Sequence, residues 1–404
     1  MKILVVSNSI PYPPRNGVEL PIANIIKHLS IKHKVDLYII TESKIQTSNR
    51  DFETFRREYL NNFQILEIGK ESLLFSFLKE VAFIKPMFFK KILSNQNIDF
   101  KEYDLIWFSP IGTYNLSKFF NIKQKKQKIA IGLHESTVFC YLSPIYQVLK
   151  GTKKISMGAI QKLLRIPFIY FFEFQILKNV HLISVQTELE KKRIKKLYGK
   201  SIFNKTIIAT NGIKKPKVKS IQKLKKNILF NTHLESDRKN ESVWFLTKIW
   251  PKILVKNPGA VLNIFGTPPK DKSSFAHEKN IVFHGYVKNI EDIYQKMMIS
   301  VIPTQHNTGW VNRVSDSLVF GVPIVACSGP LSTIPGIVPG KHALCANTSD
   351  DFSDCVTTLL NNREKREHIS MNGKRLSKSF PTWDKTINNI EKSLMQIINK
   401  QETT

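Results

Sequence analysis

Short apolar runs of three to six residues alternate with longer amphipathic stretches along this chain, and that alternation limits the fold more than any other feature. Ile3–Val6, Val35–Ile40, Leu105–Phe108, Ile129–Leu133, Leu182–Val185 and Ile207–Ala209 read as strands. Between the first two, Ile22, Ile25, Ile26 and Leu29 recur at the spacing of one helix face, with Pro21 in the first turn of a helix that starts just after Gly17. Strand, helix, strand in that order predicts a parallel sheet covered on both sides. A second series follows: strands at Ile228–Phe230, Val261–Phe265, Ile281–Phe283, Ile299–Ile302 and Pro323–Ala326, and helices at about Ser242–Val255, Ile290–Met297 and Trp310–Phe320. The last helices, near Phe352–Leu360 and Trp383–Ile398, have no strand after them.

The two series are separated by 214–226, KKPKVKSIQKLKK, which holds seven lysines, one proline and little to bury. It reads as a linker and hinge. A chain of 404 residues exceeds what one core organises, so two domains are expected, 1–213 and 227–380, followed by a C-terminal helix over 381–404.

Charge is unevenly placed. The formal net charge is +29, and the first 215 residues hold 35 Lys and Arg against 16 Asp and Glu, whereas residues 227–404 hold 21 against 16. A basic first half attracts polyanions such as phosphorylated substrates, anionic lipid or nucleic acid. Nucleic acid rests on charge alone, because no helix-turn-helix, RNP-like strand or zinc finger is present to read a base. Cys140, Cys327, Cys345 and Cys355 form no CxxC pair and have no histidine at zinc-ligand spacing, so neither a disulfide framework nor a metal site is expected. The start, MKILVVSNSI, reads as a first strand rather than a signal peptide, and charged residues interrupt the most apolar stretches. A cytoplasmic protein is expected. In Lys150–Lys178, Met157, Ile160, Leu163 and Leu164 share a helix face with Lys153, Lys154, Lys162 and Arg165 around them, which predicts peripheral contact with the anionic inner face of a membrane.

Two segments suggest binding chemistry. Pro11–Gly17, PYPPRNG, joins the first strand to the first helix, a place where backbone amides meet anions. It is neither GxGxxG nor a P-loop, which weakens an oxidoreductase or NTPase reading. In Thr304–Ala326, TQHNTGWVNRVSDSLVFGVPIVA, Val314 and Leu318 share one helix face and Asn312 and Asp316 another, which takes Asp316 off the core face.

PYPPRNG, the strand end Leu133-His134-Glu135-Ser136, Thr210-Asn211-Gly212-Ile213 and GWVNRVSDSLVFGVPIVA occur in an order that resembles family 4 of the retaining GT-B glycosyltransferases. NPGAVLNIFGTPP, NIVFHGYVKNIEDIYQKMMISVIP and FPTW extend the resemblance over nearly the whole chain. The resemblance implies two Rossmann-like domains facing across a cleft, the first for acceptor and the second for nucleotide sugar, with the C-terminal helix crossing back to the first. It implies transfer of a sugar with retention to a glycan or lipid-linked acceptor in bacterial cell-surface polysaccharide or glycoconjugate synthesis, without an essential metal or other cofactor.

The same resemblance implies site residues. Gly17 and Val18 would approach the donor diphosphate, and His134 would lie beside the transferred sugar. The family's Arg and Lys that clamp the diphosphate correspond to His233 and Lys239, with Arg238 next to the lysine. Its paired glutamates correspond to Thr308 and Asp316, and Gly309, Trp310 and Asn312 complete the donor-binding stretch. The replacements at His233, Thr308 and Asp316 keep open a second reading, a catalytically inactive GT-B partner that only binds.

Overall fold

The first strand, β1 (Lys2–Ser7), shows how the chain folds: Ile3 to Val6 are buried on both sides. A strand covered on both faces carries a continuous apolar run rather than an alternation. Its odd and even residues still separate, with Ile3 and Val5 in one core layer and Leu4 and Val6 in the other. The computed structural model describes residues 1–41, 50–67, 100–113, 127–142, 157–214, 226–232, 234, 239–267, 280–287, 289–305 and 309–399. The chain divides into two units, Met1–Asn211 with Trp383–Thr404, and Gly212–Thr382.

The first unit adds β2 (Lys34–Thr41), β3 (Asn62–Glu67), β4 (Leu105–Phe108), β5 (Lys128–Gly132), β6 (Leu182–Val185) and β7 (Thr206–Ile208). They form one sheet in the order β3-β2-β1-β4-β5-β6-β7, with every pair parallel. Helix α1 (Glu19–Leu29) buries Ile22, Ile25, Ile26 and Leu29 on one face of the sheet. Helix α2 (Arg50–Tyr59) adds Phe52 and Phe55 to the same layer. Helices α3 (Met157–Asn179) and α4 (Glu188–Asn204) cover the other face with Ile176, Leu177, Ile194, Tyr198 and Ile202.

The second unit has β8 (Asn227–Asn231), β9 (Val261–Phe265), β10 (Ile281–Gly285), β11 (Ile299–Ile302), β12 (Ile324–Ala326) and β13 (Leu344–Cys345) in the order β10-β9-β8-β11-β12-β13, again all parallel. Its helices of six residues or more are α5 (Lys239–Trp244), joined by a π-turn at Phe245–Ile249 to α6 (Trp250–Lys256), then α7 (Ile290–Lys296), α8 (Asn312–Phe320), α9 (Ser349–Asn361) and α10 (Arg363–Ser377).

The last helix, α11 (Trp383–Asn399), belongs to the first unit. Ile387, Ile390 and Leu394 enter the core layer of α1, and Thr386 Oγ1 donates to the Thr210 carbonyl at 2.8 Å. Lys32 and His33 reach Glu391 at 3.0 and 3.2 Å. The expected linker 214–226 lies outside the described residues except for Lys214 and Lys226. The strand β3, the two-residue β13 and helix α10 are additions to the sequence reading. Both strands sit at sheet edges, where partly exposed residues such as Phe63 and Leu344 leave no continuous apolar run to read.

Candidate functional site

In an open parallel sheet, ligands bind outside the carboxyl ends of the strands where the strand order reverses, because the connecting loops part there. In the first unit that point lies between β1 and β4, and in the second between β8 and β11. Each unit therefore presents a candidate ligand-binding edge there.

In the first unit the loop after β1 leads into α1. Asn16 Oδ1 accepts the Val18 and Glu19 amides at 2.9 and 3.0 Å, and Glu19 reaches back to the Arg15 amide at 2.7 Å. This reciprocal capping fixes the turn. The Val18 amide is thus held by Asn16, and α1 begins at Glu19, next to the expected start just after Gly17. Gly17 is exposed in the turn.

His134 follows β5 and is tied to the ends of three neighbouring strands. Gln186, after β6, donates through Nε2 to His134 Nδ1 at 3.4 Å and to Asn211 Oδ1 at 3.1 Å. With Nδ1 accepting, Nε2 carries the ring proton toward Ser109 Oγ, 2.9 Å away after β4. Burial pushes the imidazole down to about 4, so it is neutral at neutral pH. A neutral, doubly held ring orients its surroundings and exchanges hydrogen bonds, but supplies no cation. Gly132 is part of the same device, because a Cβ there would come within 2.8 Å of Ser109 Oγ and 3.2 Å of the Trp107 Nε1.

In the second unit the edge is held by side chains that the sequence did not single out. Arg313, the second residue of α8, donates through Nη1 to the Asn231 carbonyl at 2.9 Å and through Nη2 to Thr304 Oγ1 at 3.0 Å. It joins the ends of β8 and β11 at the point where the order reverses. A cation in the first turn of a helix opposes the helix dipole. That local conflict was the available signal, and the fork of two hydrogen bonds offsets it. The buried Glu241, on α5, accepts the Gln305 amide at 3.1 Å, and Thr232 Oγ1 and Ser242 Oγ lie 2.6 Å apart. The start of α5, at Lys239, is thereby fastened to the same strand ends.

The remaining predicted residues divide. His233, Arg238, Thr308 and the Lys239 side chain lie outside the described residues. Gly309 is buried with φ 65°, a left-handed conformation that favours glycine. The helix expected from Trp310 begins at Asn312. Trp310 is a core residue: its indole donates to Ser315 Oγ at 3.0 Å and its ring meets Phe380 edge-on at 5.4 Å. Asn312 and Asp316 are half-buried, while Val314 and Leu318 are buried, as the helical spacing predicts. Asp316 is not the solvated carboxylate that a polar face suggests. Burial pushes its carboxyl up to about 7, and it acts on the buried Tyr294 hydroxyl of α7.

Two doubly wound parallel sheets, with the last helix returned to the first, define the GT-B class of glycosyltransferase architecture. Residues 225–362, within the second unit, match the family model described as glycosyl transferases group 1. The chain superposes on Anabaena Alr3699/HepE, solved in complex with UDP and glucose, with a TM-score of 0.67 at 13% identity, covering 98% of this chain and 99% of that one. Sucrose-phosphate synthase from Thermosynechococcus elongatus gives 0.69 at 13% identity over 99% and 100% of the two chains. A point mutant of S. aureus TarM, in complex with Fondaparinux, alpha-GlcNAc-glycerol and UDP, gives 0.67 at 9% identity over 98% and 99%. No curated protein matches the chain in sequence.

Proposed function

We propose that this protein transfers a sugar from a nucleoside diphosphate sugar to a hydroxyl of a glycan or lipid-linked acceptor, with retention of anomeric configuration, in the synthesis of a bacterial surface polysaccharide or glycoconjugate. The observation that carries this reading is the match of residues 225–362 to glycosyl transferases group 1, a segment whose strand ends meet at Arg313. The neighbours that hold UDP, glucose or glycan ligands support a donor and an acceptor of these classes.

The division of work follows from the chemistry. Breaking the bond from sugar to diphosphate builds negative charge on the leaving group, and fixed donors in a water-poor site stabilise it. Lys239, at the start of α5, is the cation assigned to that task, together with the amides of Gly309 and of the α8 N-terminus. Asp316 is assigned to the ribose and His134 to the surroundings of the reacting sugar. No metal is assigned a role.

Incubation of the purified protein with UDP-, GDP- and ADP-sugars, followed by chromatography for released nucleotide and by NMR for the anomer formed, tests the reading. Release of one nucleoside diphosphate is expected, and Lys239→Ala should slow it on the order of 10²–10³. Nucleotide binding without turnover for every donor and acceptor would instead identify a binding partner of GT-B fold.

A further inference from the structure

Helix α3 is apolar on two sides. Ile166, Ile169, Phe172, Ile176 and Leu177 pack on the core of the first unit. Ile160, Leu163, Leu164 and Phe168 lie on the opposite side and are 42%, 50%, 68% and 46% exposed. Their spacing places them along one stripe of the helix. Single exposed apolar residues need no explanation, whereas a stripe of four large ones on a helix marks a contact surface.

What this surface suits is decided by its neighbour. Helix α4 lies beside α3: Tyr170 Oη donates to the Leu197 carbonyl at 3.1 Å, and the rings of Tyr170 and Tyr198 stack at 5.2 Å. Both helices bury their inner faces in the same core layer, so their outer faces look out from the same side of the sheet. The outer face of α4 presents Lys192, Lys195, Lys196 and Lys200, all exposed, while its buried acid, Glu190, is paired with Arg193 at 2.6 Å. An apolar ridge flanked by lysines is complementary to acyl chains bordered by anionic headgroups. The lysines of 150–156 and the Lys162 side chain, on which the sequence reading relied, lie outside the described residues. Among the described residues of that stretch Arg165 is half-buried and Lys178 exposed, and α4, which that reading did not include, adds the four further exposed lysines.

We propose that the outer faces of α3 and α4 dock this protein on an anionic lipid bilayer, with Ile160, Leu163, Leu164 and Phe168 entering the interface and the α4 lysines holding the headgroups. The attachment is peripheral, since among the described residues no helix is long and apolar enough to cross a membrane. It stands apart from donor chemistry and is tested without it.

Flotation of the full chain with vesicles of phosphatidylcholine alone, and of phosphatidylcholine with phosphatidylglycerol, reads the proposal directly. Recovery with the anionic vesicles only is expected. Two variants, Leu163→Ser with Leu164→Ser, and Lys192→Glu with Lys196→Glu, should each lower it about tenfold or more. Equal recovery with both lipids, no recovery with either, or recovery unchanged by both variants overturns it. So does a dimer in sedimentation that the leucine variant dissolves without vesicle binding, which would make a second copy the occupant. Melting curves accompany both variants. The lysine variant alters only exposed side chains, so it decides the matter if the leucine variant melts early.

Discussion

Arg313 sits at the position where two strand ends and a helix start meet, and its planar fork is what allows one side chain to hold both Asn231 and Thr304. Arg313→Lys keeps the charge and loses one arm. It is expected to lower stability by about 1–3 kcal/mol and to raise KM for the donor, whereas an unchanged melting temperature and KM would count against the bridge. The two titrating groups make a second residue-scale prediction, with opposite signs. His134 binds its proton less tightly folded, at about 4 against 6.5, so its contribution to stability is complete above about 6.5 and is lost as the pH falls toward 4. Asp316 binds its proton more tightly folded, at about 7 against 3.8, so stability is lost as the pH rises through that window. Melting temperature against pH should therefore climb more steeply between 4 and 6.5 in Asp316→Asn than in the wild type, and should flatten or reverse in His134→Asn. Superimposable curves for the three proteins would refute both assignments.

At the scale of elements, α11 is the case in which a helix serves a unit distant in sequence. Its stripe of Ile387, Ile390 and Leu394 is almost wholly buried, and its polar side reaches His28, Lys32 and His33 of the first unit. An amphipathic helix of this kind gains its stability from packing rather than from intrinsic propensity. Ile390→Ala is expected to destabilise the first unit by about 2–5 kcal/mol, read as an earlier unfolding transition with the donor nucleotide still bound by the second unit. If the nucleotide site is lost with no change in the first unit's transition, α11 has been assigned to the wrong core. The periodicity of Trp383–Ile398 made this helix legible, and the family resemblance, not the spacing, supplied its return to the first unit. Helix α10 was not legible at all, because its sequence, REKREHISMNGKRLS, is rich in charge and buries only Ile369, Asn372, Gly373 and Ser377.

For the whole molecule, the net charge of +29 and its concentration in the first half bear on association rather than on fold. Vesicle recovery should fall steeply as salt is raised, since the screening length shrinks from about 10 Å at 0.1 M to about 3 Å at 1 M. The apolar stripe of α3 is not expected to hold the protein without the lysines. Recovery independent of salt would place the whole attachment on that stripe and remove the lysines from it. The two α/β series, the central strands and the buried faces of α1 and α8 were legible along the chain, because continuous apolar runs and the 3.6-residue helix period are local properties that burial on a sheet makes visible. Packing in three dimensions settled the edge strands β3 and β13, the bridging role of Arg313, the neutral state of His134, the burial of Asp316 and the core position of Trp310. Each of these depends on which distant groups come within hydrogen-bonding reach or exclude water, and no spacing along the chain records that.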